Sequence, residues 1–181
     1  MTDDTRRWHH RPEHAFVPGS PYIVTAATLH QKPIFSDGHR LALLRDCLFS
    51  AADRYGWRFQ AWAVFPNHYH FVALAPEDGT TLGDAIRQVH SETARDVNKL
   101  DGLTGRRQVW FQYWDTCITN EASYYARLNY VHNNPVKHGV VSAAEQYPFC
   151  SARWFQMKAE AGFRRKVESY RYDRVQVRDD F

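Results

Sequence analysis

Two pairs of residues in this sequence have the types and the spacing to do chemistry. His68 and His70 stand one residue apart in FPNHYHFV (65–72), and Tyr130 and Asn134 stand four apart in LNYVHNNPVKHG (128–139). On a strand, residues i and i+2 project from one face, about two steps of ~3.3 Å apart. Both imidazoles can then converge on one ion, while Tyr69 points to the opposite face. Taken alone, such a pair is more often two surface or satisfied histidines than two ligands. A histidine-triad phosphohydrolase would carry a third histidine at position 72, where this chain has Val72, so that chemistry is excluded.

The tyrosine pair changes the balance. At about 100° per residue, Tyr124, Leu128 and Val131 form the apolar stripe of a helix. Tyr130 and Asn134 share a second face, displaced from that stripe by roughly 80–100°. Tyr130 is therefore expected at the edge of the packed surface, its hydroxyl reaching beyond it. The Asn134 carbonyl oxygen could add a third ligand beside the histidines. A tyrosine hydroxyl is a poor nucleophile while its pKa stays near 10. A divalent cation held nearby can polarise a phosphodiester, so that attack by the tyrosine leaves a covalent phosphotyrosine. A simple aromatic packing residue is the competing reading of Tyr130.

The elements that must position these residues can be read from periodicity. PYIVTAATL (21–29) reads as a strand, and DGHRLALLRDCLFSAADRYG (37–56) as a helix closed by Gly56. WRFQAWAVF (57–65) and HYHFVALA (68–75) read as two strands joined through Pro66 and Asn67. TLGDAIRQVHSETARDVNKL (81–100) is a second helix, and VWFQYWDTCIT (109–119) a fourth strand. Asn120 can cap the tyrosine helix, with Glu121 at its positive end. Pro135 predicts that this helix stops at about Asn133 or Asn134. The order β-α-β-β-α-β-α predicts an α+β fold. Its antiparallel sheet is ferredoxin-like, with helices packed on one face and the other face free for a ligand. A catalytic domain is expected over 1–158, followed by a basic, aromatic tail over 159–181.

FPNHYHFVAL resembles the Pro-Asn-His-hydrophobic-His segment of the single-tyrosine, His-hydrophobic-His transposases. LNYVHNNPVKHGVV resembles the Tyr-Ile-His-x-Asn-Pro-Val-Lys block of the REP-associated tyrosine transposases. PYIVTAATLHQKPIFSD and VWFQYWDTCITNEASYY add partial matches, so the resemblance spans about residues 17 to 155. It implies a ferredoxin-like catalytic domain acting on single-stranded DNA, with Tyr130 as nucleophile and a 5′-phosphotyrosine intermediate. It implies His68 and His70 as ligands of Mg²⁺ or Mn²⁺, with Asn134 as the third. Imidazole leans toward Mn²⁺ on ligand softness, which leaves the ion open. His132, on another side of the helix, reads as supporting or structural. The resemblance departs at VWFQYW, where the relatives more often carry Trp-Gln-Arg followed by an aromatic. Here Gln112 follows Trp110-Phe111, and the basic pair Arg106-Arg107 lies upstream.

Length and charge fit that expectation. The chain of 181 residues, with a formal net charge of +3, six Trp, ten Tyr and eleven Phe, reads as one folded domain. It is too short for a (β/α)8 barrel, which needs about 250 residues. Basic residues cluster locally, in RRWHHRPEH (6–14) and FRRKVESYRYDRVQVR (163–178). Arg6, Arg7, Arg106, Arg107, Lys137, Arg164 and Arg165 are the candidate phosphate contacts, and Trp110, Tyr113 and Trp114 candidate base-stacking residues, each of which taken singly is more often core. Three widely spaced cysteines and the lack of a signal peptide or long apolar run read as a cytoplasmic protein with no membrane partner. The expected partner is single-stranded DNA, in hairpin-forming repeats, bound by a monomer rather than a homodimer. Two other readings remain: a non-catalytic protein that binds repeat hairpins, and a metal hydrolase of small phosphates.

Overall fold

The strands alternate as a sheet buried on both sides requires. In the computed structural model, which describes residues 16–77, 82–103, 107–173 and 175, β1 (Pro21–Thr28) is buried along nearly its whole length. The other strands are β2 (Arg58–Val64), β3 (His68–Leu74) and β4 (Trp110–Cys117), in the spatial order β2-β3-β1-β4 with every pairing antiparallel. This is the ferredoxin-like sheet, so the expected α+β class holds. Tyr22, Val24, Ala26, Tyr69, Phe71 and Ala73 face one layer, built by α1 (Gly38–Tyr55) and α2 (Leu82–Leu100). Asp37 caps α1 by accepting from the Arg40 N–H at 2.9 Å, and Gly56 closes it in the left-handed region at φ 75°.

The opposite face is not free. The third helix, α3 (Glu121–Lys137), lies across β2 and β3, and Ile23, Ala61, Ala63 and Val72 pack with Leu128 and Val131 beneath it. Sequence spacing placed all the main helices on one layer, because it fixes which residues share a face but not which sheet face a helix takes. The segment expected as a tail also joins this layer. After α4 (Ala152–Lys158), α5 (Ala161–Ser169) docks against α3 with Val167 fully buried, and Lys166 pairs with Glu121 at 2.6 Å. Residues 161–169 are therefore part of the domain.

Asn120 caps α3 as expected, accepting from the Ser123 N–H at 2.8 Å. The helix does not stop before Pro135, however, but runs through it to Lys137. A proline in a helix removes the N–H that would bond the carbonyl four residues back, here Val131. The Cys150 thiol lies 3.7 Å from that carbonyl and 3.7 Å from the carbonyl of His132, and donates to them. A partner from another element thus satisfies the freed acceptor, which sequence rules for helix ends do not anticipate. Cys150→Ala, which removes this donor and opens a small void, is expected to cost about 1–2 kcal/mol in chemical denaturation.

Candidate active site

The continuation of α3 assembles the site. His68, the first residue of β3, and His70 both project toward α3, while Tyr69 packs into the opposite layer, as alternation requires. Their rings lie 5.0 Å apart between centroids. His138, at the C-terminal cap of α3, stands 4.8 Å from the His68 ring. One ligating nitrogen from each of His68, His70 and His138 falls within 4.8 Å of the others. Asn134 is fully buried on the same side of the helix, and neither polar atom of its side chain has a hydrogen-bond partner among the described residues. It lies against His68, where it mildly favours the protonated ring.

The two strand histidines are held in the same manner. His68 Nδ1 is 2.7 Å from Asn67 Oδ1, and His70 Nδ1 is 2.7 Å from Thr25 Oγ1. The carboxamide oxygen only accepts, so His68 donates through Nδ1–H and presents a lone pair at Nε2. Metal-bound histidines are generally fixed this way, through the nitrogen that does not bind the ion. His70 Nε2 and His138 Nε2 have no hydrogen-bond partner among the described residues. Burial is the main force holding the His68 imidazole neutral, with His138 and Lys137 adding to it, so that its pKa falls to about 3. Burial, then His68, His138 and Lys137, push His70 well below the ordinary histidine value, and burial and Lys137 lower His138. Neutral imidazoles with converging lone pairs fit a divalent cation. The donor set would be His68, His70 and His138, with the Asn134 oxygen within the same cluster.

A helix ending before Pro135 offers only Asn134 to the site, whereas the helix that runs to Lys137 also brings in His138. Tyr130, Asn134 and His138 are spaced by four, and that spacing would have placed all three on one side of a longer helix. Replacing His138 with Ala is expected to weaken Mn²⁺ binding ten- to a hundred-fold, read by calorimetry. Unchanged affinity would remove His138 from the donor set.

Tyr130 meets the histidines directly, its ring 5.6 Å from His70 in an edge-to-face arrangement. It is 1% exposed, not at the edge of the packed surface as the helical wheel suggested. The reason is that α3 lies flat on the sheet, so both the stripe and the flank of the helix are covered. Lys137 is exposed, and its ammonium sits 4.9 Å from the centre of the Tyr130 ring, placing positive charge beside the hydroxyl-bearing group. His132 stacks on Phe155 at 4.3 Å, away from the metal-binding group, and burial lowers its pKa to about 4. That agrees with a structural role.

Two of the expected DNA contacts are occupied elsewhere. Trp110 is 6% exposed, stacks on His90 at 4.4 Å and donates to Thr93 Oγ1 at 3.0 Å, so it belongs to the α1/α2 core. A β-bulge at Ala27/Thr28 sets this orientation, which simple alternation does not reveal. Arg107 pairs with Asp101 at 2.7 Å and donates to Asn98 Oδ1 at 2.8 Å. Arg40, then Arg107, hold the Asp101 carboxyl below the usual range, so the Arg107 guanidinium ties down the end of α2. Arg164 and Arg165 lie on α5, half-buried and exposed respectively. Arg6, Arg7 and Arg106 lie outside the described residues.

Trp114, a base-stacking candidate from the sequence, lies in a strip beside the histidines, to which Phe111 and Gln112 also belong. Thr25 pairs with His70 on one side and Trp114 on the other, and Ala27 likewise links His68 to Gln112. Trp114 and Gln112 thus share the sheet face of the histidines, and on that face no described helix is seated on β4. Phe111, 55% exposed, has its ring 6.2 Å from that of Trp114. An exposed Phe111 beside a half-buried Trp114 offers ring faces on which unpaired bases can stack.

No family model matches the chain. A REP-associated tyrosine transposase of Escherichia coli is 25% identical over 108 residues, covering 59% of this chain and 61% of that protein. A Haemophilus influenzae protein, provisionally given the same name, is 24% identical over 115 residues, covering 59% of this chain and 65% of the relative. The match therefore spans less than two thirds of either relative's length. The solved structure of a REP-associated tyrosine transposase bound to a REP hairpin superposes with a TM-score of 0.68 at 20% identity, over 94% of both chains. By sequence the chain is similar to REP-associated tyrosine transposases, and it has the fold of the hairpin-bound structure.

Proposed function

We propose that the protein cleaves and rejoins single-stranded DNA through Tyr130, acting on hairpin-forming repeats. The observation that carries this reading is the convergence of His68, His70 and His138 beside the Tyr130 ring. The relatives named as transposases and the hairpin-bound neighbour support the choice of DNA as substrate. In the reaction the Tyr130 hydroxyl gives up its proton and its oxygen bonds to phosphorus. The P–O3′ bond breaks, the 3′ oxygen takes up a proton, and the 5′-phosphate remains esterified to the tyrosine. A 3′-hydroxyl of an acceptor strand then reverses the step, forming a new phosphodiester and freeing Tyr130.

Each residue around the nucleophile has a share in this. His68, His70 and His138, with Asn134, would hold a divalent cation, which when bound polarises the phosphodiester and offsets developing charge. Three nitrogen donors favour Mn²⁺ over Mg²⁺. Lys137 adds charge beside Tyr130 and the histidines, and as a long exposed side chain it can swing aside to admit the strand. The Phe111–Trp114 strip would carry the neighbouring bases. Arg164 and Arg165, on α5, would add phosphate contacts.

The test uses a single-stranded oligonucleotide that forms a repeat hairpin, incubated with the protein and Mn²⁺. A covalent adduct carrying the label from the 3′ side of the cut is the expected product, and chelator prevents it. A hairpin-binding protein without catalysis would bind the same DNA in chelator and form no adduct with Mn²⁺.

A further inference from the structure

Arg127 stands one helical turn before Tyr130 on α3, a rise of about 4.5 Å along the axis. It is half-buried, and among the described residues it bonds only the carbonyl of Ser123, at 3.5 Å, and the Ser123 hydroxyl. Its Nε is buried without a hydrogen-bond partner, and no carboxylate pairs with it among the described residues. Two other half-buried arginines, Arg40 and Arg107, both pair with Asp101. Burial lowers the pKa of Arg127, a sign that its charge lacks compensation.

A desolvated guanidinium without a counter-ion costs stability, and such a group is retained where an anion completes it. The helix runs antiparallel to β3, since Tyr124 reaches Gln60 of β2 while His138 meets His68. Going back one turn from Tyr130 therefore leads along the sheet, away from His68. At 100° per residue Arg127 falls between the directions of Tyr130 and Val131, on the sheet side of the helix. The planar fork of arginine matches two phosphate oxygens at once.

We infer that Arg127 is a positioning residue that binds a backbone phosphate of the single strand, on the side of Tyr130 away from His68. This rests on the DNA reading above but not on the tyrosine chemistry. The test is fluorescence anisotropy with a labelled mixed-sequence single strand in chelator, where no cleavage intervenes, over a range of salt. Arg127→Met is expected to weaken binding about ten-fold and to reduce the salt slope by about 0.7, the value for one phosphate contact on a single strand. Arg127→Lys keeps the slope and binds with intermediate affinity, having charge without the fork. Without DNA, the melting temperature of Arg127→Met stays level or rises, because an uncompensated cation has been removed. Wild-type affinity and slope in Arg127→Met overturn the assignment. A fall in melting temperature in both variants overturns it too, since the side chain is then a packing element. If the wild-type protein binds no single strand even at low salt, the DNA reading itself fails.

Discussion

Tyr130→Phe forms no covalent DNA adduct, and strand cleavage falls by at least 10³-fold, to the background of the assay. The oxygen removed is the atom that bonds to phosphorus, and nothing nearby can replace it. The neighbours of Tyr130 within the cluster are His70 and Lys137, and phosphotransfer to either would give an acid-labile phosphoramidate that chemical stability distinguishes from phosphotyrosine. The ring itself survives the substitution, so the edge-to-face contact with His70 and the packing under α3 are kept. Binding of single-stranded DNA in chelator should therefore stay within about three-fold of wild type, and the melting temperature should hold. An adduct in the Phe variant would show that another residue is the nucleophile. A loss of fold would instead show that the hydroxyl serves the core.

Acid should unfold this protein early. Burial holds His68 and His90 at about 3, His132 at about 4, and His70 well below the ordinary value. Depressed histidines disfavour the charged ring in the fold, while the unfolded chain protonates near 6.5. The unfolded state then binds more protons below that pH, so stability is full above about 6.5 and is lost as pH falls toward 4 and 3. At pH 5 each such group costs about 2 kcal/mol, and the four together about 8 kcal/mol at most, comparable with the whole stability of a small domain. Urea midpoints should drop steeply between pH 6.5 and 5, well before most carboxylates titrate. Mn²⁺ should slow that drop, because a cation on His68 and His70 binds the fold and competes with protons. His70→Ala should abolish the Mn²⁺ effect. A midpoint that is level from pH 7 to 5 would mean that these rings are solvated.

The parts of this protein that depend on local periodicity were legible in its sequence. His68 and His70 share a face because side chains on a strand alternate, and Asp37, Gly56 and Asn120 end their helices where capping chemistry says they should. The β-α-β-β-α-β order sufficed for the ferredoxin-like sheet, since short connections and antiparallel pairing leave few other arrangements. The tyrosine and the two histidines could be brought together on paper by residue type alone.

Tertiary structure decided the rest, in each case through a contact between residues far apart in sequence. The Cys150 thiol satisfies the carbonyl that Pro135 leaves open, which carries α3 on to Lys137 and delivers His138 to the histidines. The choice of sheet face by α3 buries Tyr130 and leaves β4 uncovered beside it. A bulge turns Trp110 into the core, and Asp101 claims Arg107, so two residues that look suited to DNA are committed to the fold. Arg127, unremarkable in the sequence, stands out only when no carboxylate among the described residues pairs with it. Sequence pattern picked out His68, His70, Asn134 and Tyr130 as candidates, because side-chain chemistry and short-range spacing suffice for that, whereas His138 joins them only through the longer helix. Which of the charged and aromatic residues remain available to a ligand depends on long-range partners, and only the packed structure supplies those.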